Sequence, residues 1–219
     1  MCRLYISKGP IDLSHALKLA ARRDPYMPSE KKQHGDGWGF AAASRAGFMH
    51  YKSGIPAWED PTAVPLREFV LAHARAASPG EPLGPAHAHP YMVYTPDGRI
   101  LFVAHNGSVD KKAMAAEVGV DSSVYTDSYV LALFLARRWE APQRAFEDSL
   151  RYVKTALNVA VLELPSLTAH VYTYYRGPRE YYALYLVEEG EAKAVASSTL
   201  LRHLEARGRE LENGTYLKF

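Results

Sequence analysis

The chain has 219 residues, 47% of them hydrophobic and 23% charged, a composition that suits one large globular core and excludes disordered and fibrous classes. A formal net charge of +2 gives no strong field for nucleic acid or an acidic membrane surface. No apolar run approaches bilayer-spanning length, and the N-terminus lacks the charged lead and apolar core of a secretory signal, so a cytoplasmic protein is expected.

Residues 1–7 read as a short strand. Asp12 or Ser14 then caps a helix with Leu13, Ala16, Leu17, Ala20 and Ala21 on its apolar face, stopped by Asp24 and Pro25. A polar, Gly/Pro-punctuated loop covers 26–37. Strands follow at 38–44 and 48–53, joined by a turn at Arg45, Ala46 and Gly47. A helix is expected around 63–68, a strand over 69–77, a Pro/Gly-rich crossing over 78–85 and a strand over 87–94. The Pro96-Asp97-Gly98 turn leads into an apolar strand at 100–104.

Three helices are then predicted, over 111–117, 126–139 and 142–155. The second is apolar almost all round, which predicts burial between layers. The third carries Phe146, Leu150, Val153 and Leu157 on one face. Strands return at 159–164, 167–175, 181–187 and 191–197. Strands, then helices, then strands that must rejoin the first set predict two packed sheets covered by helices, an α+β fold in one domain over 1–219.

Cys2 is the only cysteine, so no internal disulfide can form. Removal of Met1 would place a thiol and a free α-amine on one residue. Their ordinary pKa values are near ~8.5 and ~8, so the amine can take the thiol's proton at neutral pH. Nucleophile and general base then come from a single residue. The other reading of Cys2 is a buried strand cysteine.

Acyl transfer also needs donors aimed at a developing oxyanion. His105-Asn106-Gly107 follows the apolar strand at 100–104, and the Asn106 amide with the Gly107 N–H would form such a hole; a plain Asn-Gly turn is the alternative. An amino-acid substrate has two charged ends. Arg75 can hold a carboxylate by a bidentate fork, or make a strand-edge ion pair. Asp127 can accept from an ammonium, or serve as part of a helix cap with Thr126.

Four of the nine histidines, His73, His87, His89 and His105, fall in one window. His87-Ala88-His89 on a strand would point both rings to one face, a metal-ligand spacing, so a His-ligated metal enzyme is the competing reading. Hydrogen-bonded rings around a pocket are the plainer one. The late tyrosines, Tyr172, Tyr174, Tyr175, Tyr181, Tyr182 and Tyr185, suit cross-strand packing or a subunit interface, which leaves a homo-oligomer or a catalytically silent scaffold open. Nucleic-acid binding has no basic stripe to support it.

Taken in order, Met1-Cys2-Arg3, Asp36-Gly37-Trp38-Gly39, His73-Ala74-Arg75-Ala76-Ala77-Ser78, His87-Ala88-His89-Pro90, Ala104-His105-Asn106-Gly107 and Thr126-Asp127-Ser128 resemble the class II glutamine amidotransferases of the N-terminal nucleophile (Ntn) hydrolase superfamily, in their stand-alone glutaminase-domain form. Ala196-Ser197 sits in a similar context. The resemblance implies a four-layer α/β/β/α sandwich of two mainly antiparallel sheets and a single type 2 glutamine amidotransferase domain. It implies Cys2 as the nucleophile that forms a glutamyl thioester and its α-amine as the base. Asn106 and Gly107 would make the oxyanion hole, Arg75 the carboxylate clamp and Asp127 the ammonium contact, with Ser78 and His89 lining the glutamine pocket. No cofactor or metal is implied. The expected ligand is glutamine or a γ-glutamyl small molecule, and no fused synthase domain is expected, so the ammonia goes to a synthase partner protein or to water. The family's Ser-Asp-Thr-Glu is Thr126-Asp127-Ser128-Tyr129 here, so its glutamate is absent.

Overall fold

Alternation along the first strand sets the architecture. In β1 (Arg3–Lys8), Leu4 and Ile6 join one buried cluster while Tyr5 joins another, so both faces of the strand are covered. The computed structural model describes residues 2–204 and 207–219. β1 lies inside a seven-stranded sheet with β2 (Trp38–Ser44), β3 (Gly47–Ser53), β4 (Phe69–Ala74), β9 (Leu184–Glu189), β10 (Ala192–Ser197) and β11 (Arg209–Glu210), in the order β11-β9-β10-β1-β4-β2-β3. A five-stranded sheet runs β12-β8-β7-β6-β5, from β12 (Tyr216–Lys218), β8 (Thr168–Tyr172), β7 (Val153–Leu164), β6 (Ile100–Val109) and β5 (Tyr91–Tyr94). All named pairings are antiparallel.

Three apolar clusters separate four layers. Leu4, Ile6, Ala41, Phe69 and Leu71 meet Phe102, Ala104, Ala160 and Leu162 between the sheets. The outer face of the larger sheet, with Tyr5, Phe40 and Ala72, is covered by α1 (Ser14–Arg22) through Ala16, Leu17, Ala20 and Ala21. The outer face of the smaller sheet, with Leu101, Val103, Val159 and Val161, packs against α2 (Lys111–Val118), α3 (Asp127–Ala136) and α4 (Pro142–Ser149). The expected α/β/β/α sandwich is thus observed.

Several local expectations are corrected. Residues 63–68 form no helix, because Pro61 and Pro65 interrupt the amide ladder. α3 is buried as expected, but within the outer helical layer, its nearly all-round apolar surface being covered by α2, α4, β5 and β6. α1 has no side-chain cap; Asp12 Oδ1 accepts instead from the Ser14 N–H at 2.8 Å. The helix expected over 142–155 stops at Ser149 and a 3-10 turn, Leu150–Tyr152, and Val153 already begins β7. Val153 and Leu157 have helical spacing, but their pairing with β6 wins, Leu157 opposite Gly107 and Val153 opposite Val109. Tyr181 and Tyr182 lie on the short helix α5 (Arg179–Tyr182), so the strand expected at 181–187 starts at Leu184.

Candidate active site

The period-2 alternation that builds the core also gathers the site. Cys2 has the parity of Leu4 and Ile6, and so faces the gap between the sheets. Asn106 shares that gap-facing parity with Phe102 and Ala104 on β6, Asn158 with Ala160 and Leu162 on β7, and His73 with Phe69 and Leu71 on β4. Cys2 is buried. Its backbone nitrogen donates to Asn106 Oδ1 at 2.9 Å, and its Sγ lies 4.0 Å from the Ala76 carbonyl oxygen. Because the Cys2 nitrogen carries hydrogen, the amide oxygen of Asn106 must face it, which leaves Nδ2 over. That Nδ2 is buried and has no hydrogen-bond partner among the described residues. Its cross-strand neighbour Asn158 is the opposite case: Nδ2 donates to the Tyr182 carbonyl at 2.6 Å and Oδ1 accepts from Thr173 Oγ1 at 2.8 Å. The expected removal of Met1 concerns a residue outside the described ones.

Asn106-Gly107 is not a turn. β6 runs on to Val109, so the pair sits within a strand, followed by a register shift between Gly107 and Val109. A Cβ on Gly107 would fall 1.9 Å from the Ala156 carbonyl oxygen, so no side chain fits there. His105 is clamped on the opposite face, Nδ1 2.9 Å from Ser128 Oγ and Nε2 3.2 Å from the Ala156 oxygen.

Histidines surround the thiol. His73 Nε2 contacts the His105 carbonyl at 3.1 Å, leaving Nδ1 without a nitrogen or oxygen partner. The Cys2 thiol is held well below its ordinary pKa: burial raises it, but the positive charge of the chain's N-terminus and the charge and hydrogen bond of His73 outweigh that. The His89 ring lies tilted 4.0 Å from that of His73 and edge-on 4.5 Å from that of Tyr91 by centroids, with neither ring nitrogen partnered among the described residues. Burial, with His73 and Arg75 adding to it, drives His89 well below its usual value and keeps it neutral. His105 is likewise lowered by burial, against the pull of Asp127.

Arg75 follows β4 and is buried. Its backbone is fixed by Gly37 and Asp36, and Asp36 Oδ2 accepts from the Ala77 N–H at 2.8 Å. This explains the Asp36-Gly37-Trp38-Gly39 run. Asp36 anchors the segment beside Cys2, Trp38 Nε1 donates to Asp60 Oδ2 at 2.8 Å, and a Cβ on Gly39 would come within 2.6 Å of the His89 oxygen. Arg75 Nη1 donates to the Pro82 carbonyl at 2.8 Å, so this side chain holds its own loop. Asp127 opens α3, with the Thr126 side chain as the cap; its Oδ2 accepts from the Val109 N–H at 3.2 Å and its Oδ1 from Ser128 Oγ at 3.2 Å. Cys2, Asn106, Gly107, Arg75, His89 and Asp127 are therefore joined through neighbouring contacts. Ser78 stands apart, exposed on the loop.

His87 and His89 do not share a face. The stretch is a 3-10 turn, Pro85–His87, then a buried His89 before β5, not a strand. Among the described residues no group of three or more His, Cys, Asp or Glu side chains could hold a metal ion.

Two features escaped the sequence reading. His73 appeared as a possible metal ligand, a hydrogen-bonded pocket ring and the start of the 73–78 run, not as a neighbour of the thiol, although its parity with Leu71 on a buried strand already turned it toward Cys2. The other is a buried ion pair under β1. Arg3 Nε donates to Asp24 Oδ2 at 2.6 Å, Nη1 donates to the Tyr181 carbonyl at 2.7 Å, and the guanidinium lies 3.9 Å over the Tyr181 ring. Asp24 also accepts from Thr199 Oγ1 at 2.7 Å and contacts His34 Nε2 at 2.8 Å. Burial raises this carboxyl, but His34 and Arg3 together hold it below the usual range. Arg3 alternating with Leu4 in a fully buried strand was the available signal.

No family model matches the chain, and no curated protein matches it. Solved structures do. A glutamine phosphoribosylpyrophosphate (PRPP) amidotransferase from B. subtilis aligns over 99% of this chain at TM-score 0.70 and 18% identity; the chain spans 47% of that protein. A glutamine aminotransferase class-II domain protein from Silicibacter pomeroyi aligns over 100% of this chain and 94% of its own at TM-score 0.53 and 17% identity. A predicted glutamine amidotransferase from Pseudomonas aeruginosa gives 100%, 93%, 0.52 and 14% for the same measures. At these identities the likeness is one of fold: two antiparallel sheets between helical layers, with Cys2 at the N-terminal edge of the inner gap. The chain shares the overall fold of these solved glutamine amidotransferase structures.

Proposed function

We propose that this chain hydrolyses the side-chain amide of glutamine, or of a γ-glutamyl amide, through a thioester on Cys2. The observation that carries the reading is the orphaned Asn106 Nδ2, a buried donor held beside the nucleophile by the same amide whose oxygen takes the Cys2 nitrogen. A lost partner costs a buried donor about 1–3 kcal/mol, and an oxyanion would recover it.

With Met1 removed, the Cys2 α-amine takes the thiol proton and Sγ attacks the amide carbon. The carbonyl oxygen becomes an oxyanion held by Asn106 Nδ2 and the Gly107 N–H. Collapse breaks the C–N bond, and the α-ammonium protonates the leaving nitrogen, releasing ammonia or an amine. Water then attacks the thioester, and glutamate and the free thiol are regenerated. Arg75 would exchange Pro82 for the substrate carboxylate, and Asp127 would take the ammonium, with His89 as a neutral wall and Ser78 on the closing loop. The released ammonia passes to a synthase partner protein or to water.

The test uses mass-verified protein lacking Met1 and a panel of γ-glutamyl amides that includes glutamine. The wild type should release one glutamate per amine, and Cys2→Ala should lower the rate at least ~10³-fold. A wild type inert toward the whole panel, or a Cys2→Ala protein that keeps its rate, overturns the reading.

A further inference from the structure

A second cleft lies away from Cys2, at the C-terminal end of α1. It has a volume of about 590 Å³ and is lined by Leu19, Arg22, Arg23, Lys31, Lys32, Gln33 and His203. Among the described residues no carboxylate lines it. The whole chain is nearly balanced, with 26 basic and 24 acidic residues, so four arginines and lysines on one rim are a local concentration that the composition does not dictate.

These charges are also unspent. None of the ion pairs among the described residues involves Arg22, Arg23, Lys31 or Lys32. Among the described residues Lys32 Nζ donates only to neutral groups, the carbonyls of Pro25 and Met27. The negative end of the α1 dipole accounts for Arg22 and Arg23. It does not account for Lys31 and Lys32, which come from the next loop, nor for His203, which comes from a 3-10 turn late in the chain. The convergence is fixed by backbone: the Asp24 N–H donates to the Lys32 carbonyl at 2.8 Å, and the His34 N–H to the Ala21 carbonyl at 2.8 Å, stitching the loop to the helix end.

We propose that this cleft binds a soluble ligand carrying two adjacent phosphates. Four fixed positive charges match the roughly −3 to −4 of two phosphate groups, and the two arginines offer the planar forks that grip phosphate oxygens in pairs. The site is separate from the Cys2 chemistry and does not depend on it.

Calorimetric titration of the full chain with inorganic pyrophosphate tests this. One pyrophosphate should bind per chain, more tightly than inorganic phosphate. An Arg23→Ala/Lys31→Ala variant should bind it at least ~10-fold more weakly while melting at the wild-type temperature, because both side chains are exposed. Absence of saturable binding, or binding indifferent to the double substitution, overturns the proposal. So does retention of the chain by anionic vesicles or by nucleic acid without pyrophosphate binding, since the patch would then serve a surface or a polymer.

Discussion

β6 and β7 carry two buried polar groups on opposite faces, and the two are built differently. On the helix-facing side, Glu163 is fully engaged. Oε2 accepts from Trp139 Nε1 at 2.7 Å and contacts His170 Nε2 at 3.1 Å, while Oε1 accepts from Ser166 Oγ at 3.0 Å and Arg99 Nη1 at 3.4 Å. His170 Nδ1 in turn meets the Tyr216 hydroxyl at 2.7 Å. On the inter-sheet side, Asn106 Nδ2, His73 Nδ1 and both nitrogens of His89 are buried without nitrogen or oxygen partners. A saturated network can only hold the fold, because it has nothing left to offer a ligand. An unsaturated one weakens the fold by about 1–3 kcal/mol for each orphan, and it marks where a ligand atom belongs.

Substitutions should pull the two groups apart. The largest effect is expected at Asn106→Ala, which removes the proposed oxyanion donor: the proposed γ-glutamyl amide hydrolysis should fall about 10²–10³-fold. Its melting temperature should change little, since the loss of the unsatisfied Nδ2 donor offsets the loss of the Oδ1 acceptor for the Cys2 N–H. A large loss of stability with activity intact would erase the distinction.

Glu163→Ala should do the reverse. It strands the Trp139 and His170 donors, at a cost of about 3 kcal/mol, lowering Tm by roughly 6–12 °C with kcat/KM unchanged. The pH dependence sharpens this. Burial raises the Glu163 carboxyl, but hydrogen bonds from His170, Trp139 and Ser166 bring it from 4.5 down to about 2. A depressed acid stabilises the fold above its unfolded value, and that stability is lost as pH falls from 4.5 through about 2. Acid unfolding followed by circular dichroism should therefore flatten over that interval in Glu163→Gln.

The smallest effect belongs to Glu117, which has three partners to the four of Glu163 but sits at the surface. It pairs with Arg151 at 2.7 Å, and with Arg138 and the Tyr152 hydroxyl. Water screens these contacts, so Glu117→Ala should move Tm by at most about 4 °C by differential scanning calorimetry. A shift as large as that of Glu163→Ala would show that partner number, rather than burial, sets the contribution.

Much of this was legible in order along the chain. The apolar runs of β2, β4 and β6, the amphipathic α1 and the strand-helix-strand sequence pointed to two sheets between helices. The lone Cys2, the Asn106-Gly107 pair, Arg75 and Asp127 were identifiable as candidates one at a time. Less legible were the elements whose local spacing suits more than one structure. Val153 and Leu157 fit a helix face as well as a strand, and β6 decided between them. His87-Ala88-His89 fits a strand by alternation, yet forms a 3-10 turn and a buried loop.

By itself, the order of residues determined which faces are apolar, and hence the layers, because burial of alternating side chains is a local property of period two. It also determined that one thiol stands next to the chain start. Only the tertiary structure decided that Asn106 keeps one amide hydrogen-bond donor unspent while Asn158 spends both groups. The two asparagines are opposite each other across one ladder, and although Gly107 marks Asn106 in the sequence, nothing there records how many hydrogen bonds either side chain makes. What separates them is the third neighbour each meets, Cys2 from the other sheet for one and Tyr182 with Thr173 for the other. Hydrogen-bond satisfaction depends on chain segments distant in sequence, and no local pattern records it.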